Sequence, residues 1–181
     1  MHSNPCTQAA LRAGLVHEVK HDGYRLIVRR DGATVRLFTR RGYDWTDRYP
    51  AIATAAAKLR ASSFTLDGEA VVVGTDGVAV FDAPVRFRPS GTQPRGPAAR
   101  APPCPQGKAA RLLARKRAGI VFNEHTEEDG AVVSRHACKL GFEGIVSKRL
   151  TAPYRSGPSR DWIKVKNPDS PAMLRFREGR W

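Results

Sequence analysis

No apolar run in the 181 residues approaches the roughly 20 needed to cross a bilayer as a helix. The first residues, Met1-His2-Ser3-Asn4-Pro5-Cys6, lack the charged start and apolar stretch of a secretory signal. Cysteine is scarce: Cys6, Cys104 and Cys138 are an odd, scattered set without metal-ligand spacing. Of the five histidines only His17 and His21 stand four apart, and no cysteine pair at zinc-finger spacing accompanies them. We therefore expect no membrane partner, no structural metal, and reduced thiols in a cytoplasmic protein. Acid is the other shortage. Against 31 Lys and Arg stand 17 Asp and Glu, a net charge of +14 and a pI near 10.5. That balance is expected of a protein that neutralises phosphate, on nucleic acid or on nucleotide.

The patterning that is present favours strands. Leu15 to Lys20, Tyr24 to Arg30 and Ala33 to Thr39 read as three strands, and Asp31-Gly32 is a hairpin signal because both residues tolerate positive φ. Pro50 to Arg60 has the spacing of a helix, with Ile52, Ala55, Ala56 and Leu59 on one face. Phe64 to Val73 reads as a strand interrupted at Asp67-Gly68-Glu69, and Asp76-Gly77 turns the chain into Val78 to Phe81. Ala109 to Arg117 is expected to be helical, Ile120 to Phe122 a short strand, and Thr126 to about Leu140 a helix ended by Gly141. Glu143 to Arg149 and Trp162 to Lys166 are the last strands. Hairpins and strands with few helices indicate an α+β fold rather than a doubly wound one.

Residues 83–108 break this pattern, holding 7 of the 13 prolines, three glycines, five Arg or Lys and no acid. A segment of that composition is expected to be disordered or irregular. The domain organisation read from the sequence is thus one domain over 1–82 and 109–181, interrupted by a Pro/Arg-rich segment.

Five stretches carry chemistry. Glu18-Val-Lys20-His-Asp-Gly-Tyr-Arg25 places a lysine at a strand end before a tight Asp-Gly turn. A lysine nucleophile needs a lowered pKa, which nearby cations or a bound metal provide by disfavouring the ammonium. Thr39-Arg40-Arg41-Gly42 offers guanidinium forks suited to phosphate. Leu66-Asp-Gly-Glu69 and Glu143-Gly-Ile-Val-Ser-Lys148 set carboxylates at strand positions. Trp162-Ile-Lys164-Val-Lys166 alternates, so both lysines share one face.

In this order the five stretches resemble the nucleotidyltransferase domain of ATP-dependent DNA ligases, most closely the bacterial end-joining type, over Val16 to Phe81 and Ile120 to the C-terminus. The resemblance implies the adenylation-domain fold of antiparallel sheets flanked by helices. It implies that Lys20 is the adenylylated residue, that Glu18 contacts the adenine amino group, and that Arg25 and Arg40 lie near ribose and phosphates. It further assigns Glu69 to the ribose hydroxyl and to magnesium, Glu143 to magnesium, and Lys148, Lys164 and Lys166 to ATP. Implied partners are nicked or broken double-stranded DNA and end-joining proteins, with the chain a nucleoid-associated monomer acting in repair and recombination.

Two departures stand against the family pattern. The Pro/Arg-rich segment stands where the family carries its adenine-stacking strand, leaving Phe81, just before it, or Phe87, within it, as the substitute aromatic, and the family's oligonucleotide-binding domain is expected to be missing. An RNA ligase or capping guanylyltransferase relative, and a catalytically impaired basic nucleic-acid-binding remnant, remain open at this point.

Overall fold

The structure, a computed structural model, describes residues 14–72, 85–93, 105–113, 119–152 and 159–178. The chain divides into two units, residues 1–22 with 124–181, and residues 23–123. In the described residues the strands are β1 (Leu15–Lys20), β2 (Tyr24–Asp31), β3 (Thr34–Thr39), β4 (Ser63–Val72), β5 (Val85–Gln93), β6 (His125–Thr126), β7 (Gly144–Arg149) and β8 (Trp162–Lys166). The helices are α1 (Pro50–Ala57), α2 (Pro105–Leu112), α3 (Gly130–Lys139) and α4 (Pro171–Arg177). Two antiparallel four-stranded sheets result, β6-β1-β7-β8 in the first unit and β3-β2-β4-β5 in the second. The α+β expectation holds. No described helix is long and apolar enough to cross a membrane.

In the second unit, period-two alternation sends Leu26, Val28, Leu37, Phe64 and Leu66 to one face of the sheet, where all are buried. The helix α1 lays Ile52, Ala55 and Ala56 into the same core. Each buried Leu, Ile or Phe contributes roughly 1.5–3 kcal/mol over its exposed state, so this face fixes the register of β2, β3 and β4. The hairpin is present but its turn is Gly32-Ala33, one residue later than the expected Asp31-Gly32: Asp31 ends β2 opposite Thr34, and Gly32 alone of the two takes positive φ, at +58°. Gly23 answers a different demand: a Cβ there would lie 2.4 Å from the Ala70 carbonyl oxygen.

Within 83–108, the described residues 85–93 and 105–108 depart from the expected irregularity. Strand β5 runs along the whole of β4's outer half, from Val72 opposite Val85 to Thr65 opposite Gln93. Its register shifts between Asp67 and Gly68, a bulge that lets a proline-bearing strand pair at all. Pairing supplies the order that composition alone withholds. Helix α2 likewise starts at Pro105, earlier than Ala109. Strand β4 is continuous through Asp67-Gly68-Glu69 rather than interrupted. Residues 1–13, 73–84, 94–104, 114–118, 153–158 and 179–181 lie outside the described residues, and with them the expected strand Val78 to Phe81 and the end of the expected helix Ala109 to Arg117.

In the first unit, α3 begins at Gly130, four residues after the expected Thr126, which belongs to β6. Asp129 is the N-cap, its carboxylate accepting from the Ala131 and Val132 amides at 2.9 and 3.0 Å. The helix ends as expected at Gly141 (φ +76°), with the Gly141 and Phe142 amides donating to the Cys138 and Ala137 carbonyls. Its buried side packs Ala137 and Val133 on Ile145, Val165 and Ile163 of β7 and β8. The Ile120 to Phe122 stretch forms no strand; Ile120 is buried in the second unit's core. After β8, where no further element was expected, comes α4.

His17 and Ser147 are direct partners across β1 and β7, both buried, with His17 Nδ1 and Ser147 Oγ 2.8 Å apart. Burial holds the His17 pKa below its ordinary 6.5, against a weaker opposing pull from Asp129. The unfolded chain then binds the proton more readily, so His17's contribution is complete above about pH 6.5 and is lost as pH falls through the folded value. Thermal unfolding between about pH 7.5 and pH 5.5 should show a smaller acid-induced drop in Tm for His17→Gln than for the wild type.

Candidate active site

Alternation and register build the site on one face of the first unit's sheet. Strand β1 pairs with β7 so that Glu18 lies opposite Val146 and Lys20 opposite Gly144. Strand β8 pairs with β7 so that Lys148 faces Trp162, Val146 faces Lys164 and Gly144 faces Lys166. Because directly opposed residues project to the same side, Glu18, Lys20, Lys148, Trp162, Lys164 and Lys166 share a face. The opposite face carries Ile145, Ile163 and Val165 against α3.

Two of the four lysines on this face are already paired with carboxylates. The Lys20 ammonium is ion-paired with Glu143, which sits just before β7, and both side chains are mostly enclosed. Glu18, only 2% exposed, accepts a hydrogen bond from Lys148 Nζ at 2.6 Å, and Lys148 is 3% exposed. The Lys148 ammonium also lies 4.5 Å from the centroid of the Trp162 ring, whose π face attracts a cation. Lys164 and Lys166 are exposed. Gly144 permits the crossing: its φ is +141°, and a Cβ there would meet the Val165 carbonyl oxygen at 2.0 Å. The glycine after Glu143 is thus demanded by the approach of β8.

The remaining predicted residues belong to the second unit. Arg25 donates from its Nε and one terminal nitrogen to the two oxygens of Asp67, at 2.9 and 2.7 Å, a bidentate pair with Asp67 buried. Glu69 is half-buried between its cross-strand neighbours Arg25 and Arg88. Arg40 is exposed in the turn closed by Gly42 (φ +86°), whose amide donates to the Thr39 carbonyl. The structure therefore brings together Lys20, Glu18, Glu143, Lys148, Lys164 and Lys166, and separately Arg25 with Glu69. Asp67 and Trp162 stood inside two of the motifs without an assigned role, and Asn167 and Arg175 lay outside all five. For Asp67 a signal was available, because an acid two positions from Glu69 must share its strand face.

The family model for the ATP dependent DNA ligase domain matches residues 4–88. The multifunctional non-homologous end joining protein LigD of Pseudomonas aeruginosa is 36% identical over 179 residues, spanning 86% of this chain and 20% of that protein. A probable DNA ligase of Streptomyces griseus is 33% identical over 178 residues, spanning 82% of this chain and 35% of its own. Among solved structures, the ligase domain of LigD from M. tuberculosis superposes with a TM-score of 0.72 at 32% identity, over 87% of this chain and 56% of that one.

The chain carries the ATP-dependent DNA ligase domain.

Its antiparallel sheets and flanking helices are the ligase adenylation-domain fold. A mycobacterial DNA ligase D solved in complex with ATP and MES has the same fold at a TM-score of 0.68 and 31% identity. This ligase chain spans about a fifth and a third of the two curated relatives' own lengths.

The Glu18–Lys148 pair is the most enclosed charge pair on the ligase face. Replacing Lys148 with Met strands a buried carboxylate, and should destabilise the chain by about 3–5 kcal/mol in urea unfolding. Arg149→Met, which touches only the exposed pair with Asp161, should change stability by less than about 1 kcal/mol.

Proposed function

We propose that this chain is the adenylyl-accepting part of a DNA ligase, that Lys20 becomes covalently linked to AMP, and that the AMP is then used to seal nicks in double-stranded DNA. The observation that carries this reading is the face shared by Lys20, Glu18, Lys148, Lys164 and Lys166, with Glu143 paired to Lys20.

In the resting chain the Lys20 side chain is engaged by Glu143, whereas a nucleophilic amine needs its lone pair free. A hard divalent cation suits Glu143, because magnesium needs only one or two carboxylates and completes its shell with water and phosphate oxygens. Among the described residues no cluster of three or more metal-ligating side chains exists, which fits such a shared site better than an all-protein cage. When bound, magnesium would neutralise charge at the α-phosphate and turn the field at Lys20 against its ammonium form. Glu18 would hold the adenine amino group, kept in place by Lys148.

Lys164 and Lys166 would bind the phosphate oxygens. The neutral Lys20 amine would attack the α-phosphorus, forming a P–N bond while the P–O bond to pyrophosphate breaks; the amine proton goes to solvent. A 5′-phosphate oxygen at a nick would next take the AMP from Lys20 and restore the amine. A 3′-hydroxyl would then attack that 5′-phosphate and expel AMP. End-joining proteins are the partner class that the LigD relatives suggest.

Intact-mass measurement after incubation with ATP and magnesium should show a gain of one AMP, lost in Lys20→Ala and Lys20→Arg. Labelling by GTP in place of ATP would instead identify a guanylyltransferase, and equal labelling of Lys20→Ala would remove the assignment. Glu143→Ala should slow labelling at least about tenfold. Glu127→Ala, an exposed charge ahead of α3, should leave the rate unchanged.

A further inference from the structure

The strand that ends the lysine face runs directly into a segment that none of the five motifs contains. Asn167 follows Lys166 and is buried. Its backbone amide donates to the Glu143 carbonyl at 2.8 Å, and its side-chain Nδ2 donates to the Phe142 carbonyl at 3.0 Å. Its Oδ1 accepts from the Asp169 amide at 3.1 Å. Ser170, also buried, donates to the Asn167 carbonyl at 3.0 Å and accepts from the Met173 amide at 3.3 Å. Ser170 is thereby the N-cap of α4, with Pro171 at the first helical position. The start of α4 is thus tied to the residue that pairs with Lys20.

Further along α4, Arg175 is ion-paired with Asp22, two residues after Lys20. Between them, Met173 Sδ lies 3.8 Å from Lys166 Nζ. One short segment therefore holds the backbone at Glu143 on one side of Lys20 and the Asp22 carboxylate on the other. The Arg175–Asp22 pair is about a third exposed on each side, so water screens it and it adds little to global stability. It nevertheless joins two stretches 153 residues apart in the chain.

We propose that Asn167 and Arg175 are positioning residues for Lys20: Asn167 sets the backbone that presents Glu143, and Arg175 holds the Asp22 turn from which Lys20 is presented to ATP. The proposal rests on the adenylylation reading given above. Reaction rates fall steeply when a reacting group is misplaced by even about 1 Å, so the effect belongs in the chemical step.

The test uses the full chain and two readouts. Intact-mass time courses over a range of ATP concentrations, with magnesium, compare wild type with Arg175→Ala, Arg175→Lys and Arg177→Ala. Arg175→Ala should lower the maximal labelling rate by about tenfold while the half-saturating ATP concentration and Tm hold steady. Arg175→Lys should recover much of the rate, and Arg177→Ala, an exposed cation on the same helix, should match wild type. A wild-type maximal rate in Arg175→Ala overturns the proposal. A change confined to half-saturating ATP overturns it too, since Arg175 would then act on the nucleotide itself.

Amide hydrogen exchange of the ATP-free chain is the second readout. Arg175→Ala should speed exchange at residues 21–24, and Asn167→Ala at residues 142–144, with α3 unaffected. Unaltered exchange at both places sinks the positioning proposal even if ATP labels the chain. Failure of the wild type to label sinks the adenylylation reading instead, and the exchange result then still decides whether α4 holds these segments.

Discussion

The in-register pairing of β1, β7 and β8 is the constraint on which the site depends. A slip of one residue would send Lys20, Lys148, Lys164 and Lys166 to the α3 side and bring Ile145 and Val165 to the lysine face. The apolar contact with α3 forbids that slip. Gly144 adds a second lock, since only a residue without Cβ lets β8 pass at that distance. The hydrophobic core thus decides where the charges stand, although none of the charged groups belongs to it.

Four lysines and two glutamates meet on or beside this face, and both glutamates are engaged with lysines before any ligand arrives. The excess of positive charge falls on Lys164 and Lys166, which are exposed. A polyphosphate is therefore attracted at the rim, whereas the enclosed Glu18 and Lys148 are mutually satisfied and need no solvent. Such division keeps the desolvation penalty of the buried pair constant while the exposed cations change partners.

The strands and their motifs were legible because they depend on short-range alternation: Trp162 to Lys166 and Leu15 to Lys20 read correctly to the residue. The start of α3 was displaced because Thr126 and Asp129 are both good caps, and only the strand pairing of Thr126 with His17 decides between them. The bidentate grip of Arg25 on Asp67 could not be read from either motif alone, as the two lie 42 residues apart. Helix α4 was missed for a similar reason. Its seven residues offer a weak periodic signal, and its anchor is the tertiary contact of Asn167 with residues 142 and 143. Strand β5 is the plainest override, where ladder hydrogen bonds to β4 outweigh an unfavourable composition.

That strand has a consequence for self-association. Strand β5 lies at the margin of its sheet, where unpaired amides and carbonyls would otherwise template the addition of another chain. Pro89 has no amide hydrogen to offer such a chain, and the bulge beside Gly68 disturbs the flatness of the row. The composition that suggested disorder is what a safe margin requires: a strand able to pair on one side only.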